Sequence, residues 1–503
     1  MTTANGKNAI AAQQMLAASG AKDITDRTLA TYADEQDALK DFRQLYTFPT
    51  RKRVRPAHAR EQRDDDETAQ QPSAYFAGNS LGLMPKQTPQ LIKEELDVWA
   101  QAGVLGHHDH EHGREWVEID GKVQETMAKV VGAKTLEVAC MGTLTANLHA
   151  LFSSFYRPTA QRHKIMFEGK AFPSDQYAFA SQAAVNGFTE ESLLRVYPRD
   201  GEFNIRTEDI LQIIEEQGDS IAIICFGAIQ FYSGEWFDME AITKAGHAKG
   251  CLVAFDCAHA AGNVPIKLHD WGVDFACWCT YKYLNTGPGG IAGIFVHERW
   301  ADKKRLAGWY GHNRETRFQM PNDFDPMPGA AGWQMSNPSV LDVISLISSL
   351  QLFEKAGAVH SKSLTNGSSS SHVLAPLRQK SIDMTQYLEA MLMANKHYVS
   401  AEKLSSSSSD GKKVHFTIIT PSDPSRRGAQ LSLLFHPVEC MDPIFESMRA
   451  KGVLGDERRP GVIRLAPVPM YNNWDDCWQA ATALEQAVQE YESGLIKASA
   501  NGH

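Results

Sequence analysis

The chain has 503 residues, room for roughly three domains at about 150 residues each, although one large α/β unit can absorb more. Its composition, 43% hydrophobic and 22% charged, excludes collagen-like, coiled-coil and wholly disordered classes. A net charge of -10 and a pI near 6.0 provide no basic footprint for a nucleic-acid partner, so small molecules are the expected partners.

Residues 1–25 form a polar leader, expected to be flexible, without the charged start and apolar block of a secretory signal. No apolar run approaches the roughly 18 residues that span a bilayer, so no membrane partner is expected. A segment at 26–79 follows, expected to pack on or near the C-terminal domain. In it EQDALKDFRQLY spaces Leu39, Phe42, Leu45 and Tyr46 as an amphipathic helix would. RKRVRP at 51–56 has the composition of a nuclear signal, but Asp64, Asp65, Asp66 and Glu67 follow closely and favour a solvated, salt-bridged loop. YFAGNSLGL reads as a short strand and turn, and KQTPQLIKEELDVWAQAG as a long helix.

From about residue 135 the pattern alternates. The apolar runs LEVACMG, HKIMFEG, IAIICFG, CLVAFD and FACWCTYK are interleaved with helical stretches such as DMEAITKAGHAKG, which Gly250 terminates. Strands apolar on both faces and separated by helices predict a mainly parallel sheet covered on each side, a large α/β domain at 80–338. Beyond it LDVISLISSLQLFEKAG and SIDMTQYLEAML read as helices, KKVHFTIITP and AQLSLLFHP as strands, giving a smaller α+β domain at 339–495 and a tail at 496–503. The serine tracts at 367–371 and 405–409 read as low-complexity surface loops. The eight cysteines form no C-x-x-C pair and mostly lie in apolar runs, which reads as reduced core thiols and favours the cytoplasm.

In an open parallel sheet, ligands bind beyond the carboxyl ends of the strands. Asp256 closes CLVAFD, His259 follows three residues later, and Lys282 closes FACWCTYK. The 26 residues from Asp256 to Lys282 match one helix-and-strand crossover, which places both groups at one rim. A carboxylate and a lysine facing one ligand suit pyridoxal phosphate, whose aldehyde the amine bonds and whose ring nitrogen the acid keeps protonated. A strand-end salt bridge uses the same two residues. TGPGGIAG, although glycine-rich, matches neither dinucleotide nor P-loop spacing.

DCAHAAGNVPIKLHDWGVDFACWCTYKYLNTGPGGIAGIFVHE resembles the cofactor-lysine region of kynureninases, pyridoxal-phosphate enzymes of the aspartate-aminotransferase fold, fold type I. YFAGNSLGL, MGTLTANLH, AFPSDQYA, FYSGEWFD, GWYGH, MSNPS and IRLAPVPMY resemble segments of the same family in the same order. The resemblance implies that Lys282 is the Schiff-base lysine, Asp256 the pyridinium partner, and His259 its neighbour. Leu144 and Thr145, with Tyr281 and the Gly227 backbone, would hold the phosphate; Phe172 would stack on the ring, with Pro173, Ser174 and Asp175 beside it. Trp309 and Asn337 match further cofactor positions, reaching in from the second subunit of a homodimer. Arg464 matches the arginine that grips the substrate α-carboxylate, although the solvated look of Arg458 and Arg459 leaves a surface role open. Ser80, Asn337 and a histidine of GHHDHEHGREW, His107 or its neighbour His108, would lie near the substrate. A metal reading of that histidine cluster is set aside, because its flanking glycines argue for a loop.

The implied reaction is hydrolysis of L-kynurenine or 3-hydroxy-L-kynurenine to L-alanine and anthranilate or 3-hydroxyanthranilate, with Lys282 and Tyr281 as catalytic groups. The alternative is another fold-type-I enzyme, an aminotransferase or a cysteine desulfurase.

Overall fold

The computed structural model describes residues 15–60, 68–363, 372–404 and 413–497. Leader residues 1–14, the acid run at 64–67, both serine tracts and tail residues 498–503 lie outside the described residues.

Seven strands build the central sheet: β1 (Val138–Cys140), β2 (Lys164–Glu168), β3 (Leu193–Val196), β4 (Ile221–Gly227), β5 (Leu252–Asp256), β6 (Phe275–Cys279) and β7 (Ala292–Val296). Their order is β1-β7-β6-β5-β4-β2-β3, and only β7 runs against its neighbours. Side chains alternate across a strand. Phe226, Phe255 and Trp278 therefore enter the core on one face, and Cys225, Ala254 and Cys277 the core on the other. With both faces covered, no position of β6 is left for a polar residue, which explains its unbroken apolar run.

Of the helices α1 (Arg27–Gln36), α2 (Thr88–Ala102), α3 (Leu144–Phe155), α4 (Pro173–Val185), α5 (Met239–Ala248) and α6 (Val340–Ser363), the sequence singles out α2, α5 and α6, and three expectations differ from the structure. The helix expected around 35–46 breaks at Asp37, the C-cap of α1, and resumes as a 3-10 turn, Lys40–Leu45; Leu39, Phe42 and Tyr46 are nevertheless buried. The crossover between β5 and β6 contains turns and no helix, since Pro265 and left-handed Gly262 and Gly272 interrupt it. RKRVRP is a one-turn helix, Arg51–Val54, capped by the Thr50 side chain; the expected loop is absent there.

A second sheet, β8 (His415–Ile418), β9 (Leu431–His436), β10 (Asp456–Arg458) and β11 (Val462–Leu465), is antiparallel in the order β8-β9-β11-β10. Helices α7 (Ala375–Met393), α8 (Met441–Ala450) and α9 (Trp474–Glu492) complete its core. The N-terminal segment joins this core through Leu29, Ala30, Ala33 and Phe76, and Ala74–Tyr75 pairs in parallel with Val453–Leu454. Described leader residues Met15, Leu16, Ala21 and Ile24 also pack on it, unlike the flexible segment expected, because they carry enough apolar surface to dock. Among the described residues no helix is long and apolar enough to cross a membrane.

Candidate active site

The carboxyl ends of β2, β4 and β5, the turn after β6 and the N-termini of α3 and α4 converge on a cavity of about 170 Å³. Adjacent strands put Asp256 level with Cys277 of β6, and the chain needs only the turn Thr280–Lys282 to bring its amine back over the strand end. Two contacts hold that turn. The Asn285 N–H donates to the Lys282 carbonyl at 3.0 Å, and the Gly82 N–H donates to the Tyr281 carbonyl at 2.8 Å. Gly82 is required to be glycine: a Cβ there would lie 2.3 Å from the Lys282 carbonyl oxygen. GNSLGL thus acts as a brace behind the lysine.

Inside the cavity Lys282 Nζ lies 2.9 Å from His259 Nε2 and 5.8 Å from the centre of the Phe172 ring. Burial and the positive charge of Lys282 drive the His259 pKa well below its usual value. Its ring is therefore neutral at neutral pH; with Nε2 accepting from Lys282, the hydrogen bond assigns the proton to Nδ1. That Nδ1 is buried without a protein partner, as is Asp175 Oδ1. Asp256 accepts the Ala258 N–H at 2.7 Å; burial raises its carboxyl, and Lys282 pulls it back. Asp175 is raised by burial and by the carboxylates of Asp256 and Glu168.

At the opposite side α3 begins at Thr143, whose side chain makes no capping bond, and Leu144 and Thr145 line the cavity. First-turn N–H groups carry partial positive charge and suit a phosphate. The cavity therefore joins an anion seat, an aromatic face, a lysine amine and the carboxylates of Glu168, Asp175 and Asp256, with Asp175 Oδ1 and His259 Nδ1 buried and unsatisfied. Pyridoxal phosphate presents a phosphate, a flat ring, an aldehyde and a ring nitrogen, and these residues fit it.

Of the residues expected from the sequence, the cavity brings together Leu144, Thr145, Phe172, Ser174, Asp175, Gly227, Asp256, His259, Tyr281 and Lys282. Pro173 opens α4 beside it without lining it. Arg464, on β11, is fully buried and donates from Nη1 to the carbonyl of Phe231, a cavity-lining residue, at 2.6 Å. The surface role left open for Arg464 is thereby excluded. Ser80 lies in the GNSLGL turn, its N–H bonded to the Ala77 carbonyl at 2.9 Å, and does not line the cavity.

Three expectations fall elsewhere in this chain. Trp309 is 46% exposed and donates its indole N–H to the Arg317 carbonyl at 3.2 Å. Asn337 lines a separate cavity of about 670 Å³ with Gly142 and Thr143. His107 is half-buried, its ring edge-on to Trp116, and His108 packs on Phe318; His110 is instead buried against Glu95 at 2.9 Å. The histidines of GHHDHEHGREW thus pack on one another and on Trp116, and none of them lines the Lys282 cavity.

Sequence reasoning missed Glu168, Ile229, Phe231 and Ala258. Glu168 carried a usable signal, for it closes HKIMFEG as Asp256 closes CLVAFD. Its carboxyl accepts the Gly227 N–H at 3.1 Å, and burial, helped by Asp256 and Glu235, raises its pKa from 4.5 to about 8. An unfolded glutamate releases its proton near 4.5, the folded one near 8, so unfolding releases a proton in that window and stability falls as pH rises through it. Glu168→Gln removes this loss. Calorimetry of the cofactor-free proteins at pH 5 and pH 8 should show the variant gaining on wild type as pH rises, by at most about 1.4 kcal/mol per unit; a constant difference would refute the assignment.

The architecture has close structural relatives. A C-DES variant with glycine covalently linked to the PLP cofactor superposes with a TM-score of 0.63 at 13% identity, covering 82% of this chain and 96% of that one. The cysteine desulfurase of Thermococcus onnurineus gives 0.61 at 14%, covering 83% and 95%. At these identities the likeness is one of fold. The aminotransferase class-V family model matches residues 75–391, and the lysine, the paired acids and the helix N-terminus occupy the strand ends of that fold. Fold and site together define a pyridoxal-phosphate enzyme of fold type I.

Within that class the sequence is more specific. The kynureninase C-terminal domain model matches residues 377–484. The kynureninase of Yarrowia lipolytica is 49% identical over 426 residues, 82% of this chain and 94% of that protein; the mouse enzyme is 45% identical over 473 residues, 93% and 95%. The human enzyme is 43% identical over 472 residues, 93% and 94%. The chain belongs to the kynureninase family.

Proposed function

We propose that the chain hydrolyses the β–γ carbon–carbon bond of L-kynurenine or 3-hydroxy-L-kynurenine to L-alanine and anthranilate or 3-hydroxyanthranilate, a step of tryptophan catabolism towards pyridine nucleotides. The single observation that carries the chemistry is the amine of Lys282 held 2.9 Å from a neutral, buried His259 in a cavity that also holds Asp175 and Asp256. Bound pyridoxal phosphate supplies a carbonyl that captures the substrate amine and a ring that accepts electron pairs from the substrate.

The chain's own residues do the rest. Leu144, Thr145, Gly227 and Tyr281 would hold the phosphate, Phe172 would cover the ring with Pro173 and Ser174 beside it, and Asp256, supported by Asp175, would keep the ring nitrogen protonated. Lys282 Nζ, kept in place by His259, moves the proton at the substrate α-carbon. The Tyr281 hydroxyl, kept protonated by burial, is suited to give a proton to the β-carbon that stays with the amino-acid part, while the departing acyl group takes the oxygen of water and leaves as a carboxylate. Arg464 grips the α-carboxylate, since a guanidinium fork matches a carboxylate with two parallel bonds. Ser80 and His107 complete the substrate pocket.

The reading includes a homodimer in which Trp309 and Asn337 enter the partner's cavity. Two facts support it: neither residue lines the cavity of its own chain, and Leu306, Trp309, Phe318 and Met320 leave apolar surface exposed in one stretch of chain. Sedimentation at 55.7 kDa, the mass of one chain, would rule it out. Location in the cytoplasm is supported by eight buried, unpaired cysteines. The same burial speaks against a desulfurase, which needs an accessible thiol. A division into a larger and a smaller domain near 80–338 and 339–495, with 26–79 beside them, is supported by the two separate sheets, although α6 and parts of the N-terminal segment share the core of the large sheet.

Incubation of the purified holoenzyme with kynurenine tests the reading. Anthranilate and alanine are expected in equal amounts; glutamate-dependent keto-acid formation in their place would overturn it.

A further inference from the structure

Arg464 stands behind the cavity wall, which Phe231 but not the arginine lines, with its guanidinium already engaged. Nη1 donates to the Phe231 carbonyl, in the cavity wall, and Nη2 is bonded by Asp456, which sits directly across the β10–β11 pair. Phe231 packs edge-on against Phe172, ring centres 5.2 Å apart, so the arginine is tethered to the wall that carries the cofactor's aromatic face. Asp456 also accepts from Arg458 at 2.9 Å.

Two features separate this pair from an ordinary salt bridge. The arginine is wholly buried, and its Nε has no partner. A guanidinium carries five N–H groups in a rigid plane. Two are engaged, which leaves Nε and others for a second carboxylate. A buried guanidinium without a counter-charge is strongly destabilising, so a resident anion is needed whenever substrate is absent. Asp456 is shared with Arg458, and this leaves the three-residue cluster a net positive charge for an incoming anion.

We propose that Asp456 is a positioning residue for substrate recognition: by holding Nη2 of Arg464 it fixes the plane of the fork that receives the α-carboxylate. The proposal rests on the reading of Arg464 as the carboxylate grip. Asp456 itself touches no substrate; it acts through the arginine, and the antiparallel register of β10 and β11 sets the alignment.

L-Alanine, a product that keeps the α-carboxylate, and alaninamide, which lacks it, are the probes, with binding to the holoenzyme read from its visible spectrum. Asp456→Asn keeps the size of the side chain and removes its charge. It is expected to weaken alanine about 10-fold and alaninamide less than about 2-fold, with KM for kynurenine rising by a similar factor and kcat within about 3-fold. Equal weakening of both probes indicates a merely structural role and overturns the proposal, as does no change or tighter alanine binding. Arg464→Gln separates the two levels. If it leaves alanine binding intact, the grip itself is misassigned and the proposal falls with it; if it weakens alanine while Asp456→Asn does not, the grip stands and only the positioning role falls.

Discussion

Replacement of Lys282 by alanine is expected to lower turnover of kynurenine by at least about 10² to 10⁴-fold, the usual worth of a positioned proton-transfer group. The figure is a lower bound, because the proposed mechanism gives the amine two duties: to bond the cofactor aldehyde and to move the substrate proton. No neighbour can replace it. His259, 2.9 Å away, also lines the cavity, but its imidazole cannot form the bond to an aldehyde that a primary amine forms. Purified Lys282→Ala should also lose the visible absorption that the wild-type lysine–cofactor bond confers. Near-normal turnover by a correctly folded variant would remove Lys282 from the mechanism.

The second large effect is expected for Asp256→Asn. An opposite charge within about 4 to 6 Å shifts a titrating group by 1 to 3 pKa units, so loss of the carboxylate should lower kcat by about 10 to 10³-fold. Asparagine has the same shape and its carbonyl can still accept the Ala258 N–H, so the turn that carries His259 should survive. The variant thus isolates charge from structure. Glu168, whose pKa is raised in part by Asp256, should titrate lower in it. Measurement of kcat across pH decides: a loss below about 3-fold at every pH would show that the ring nitrogen needs no acid at this position.

Much of the site was legible because strand ends are legible. CLVAFD and FACWCTYK show an apolar run that stops at a charged residue, and a parallel sheet brings such stops to one rim. HKIMFEG has the same form, and Glu168 was overlooked because an isolated glutamate at a strand end is indistinguishable from a solvated one until its burial is known. Arg464 posed the same problem in reverse. The solvated look of Arg458 and Arg459 leaves its exposure open in the sequence; β11 pairs between β9 and β10, and that central position buries it. Gly82 lies 200 positions from Lys282, and nothing local announces that its missing side chain makes room for the lysine's backbone.

The amino-acid order by itself determined which groups this chain can use for chemistry and on which elements they sit, because hydrophobic periodicity and chain punctuation act over a few residues and need no distant partner. Distances, burial and pairing were decided only in three dimensions. Whether the ring of His259 carries a charge, whether Glu168 keeps its proton, and which acid faces Arg464 depend on what the folded chain packs around each group, since desolvation and hydrogen bonding are set by neighbours on other elements.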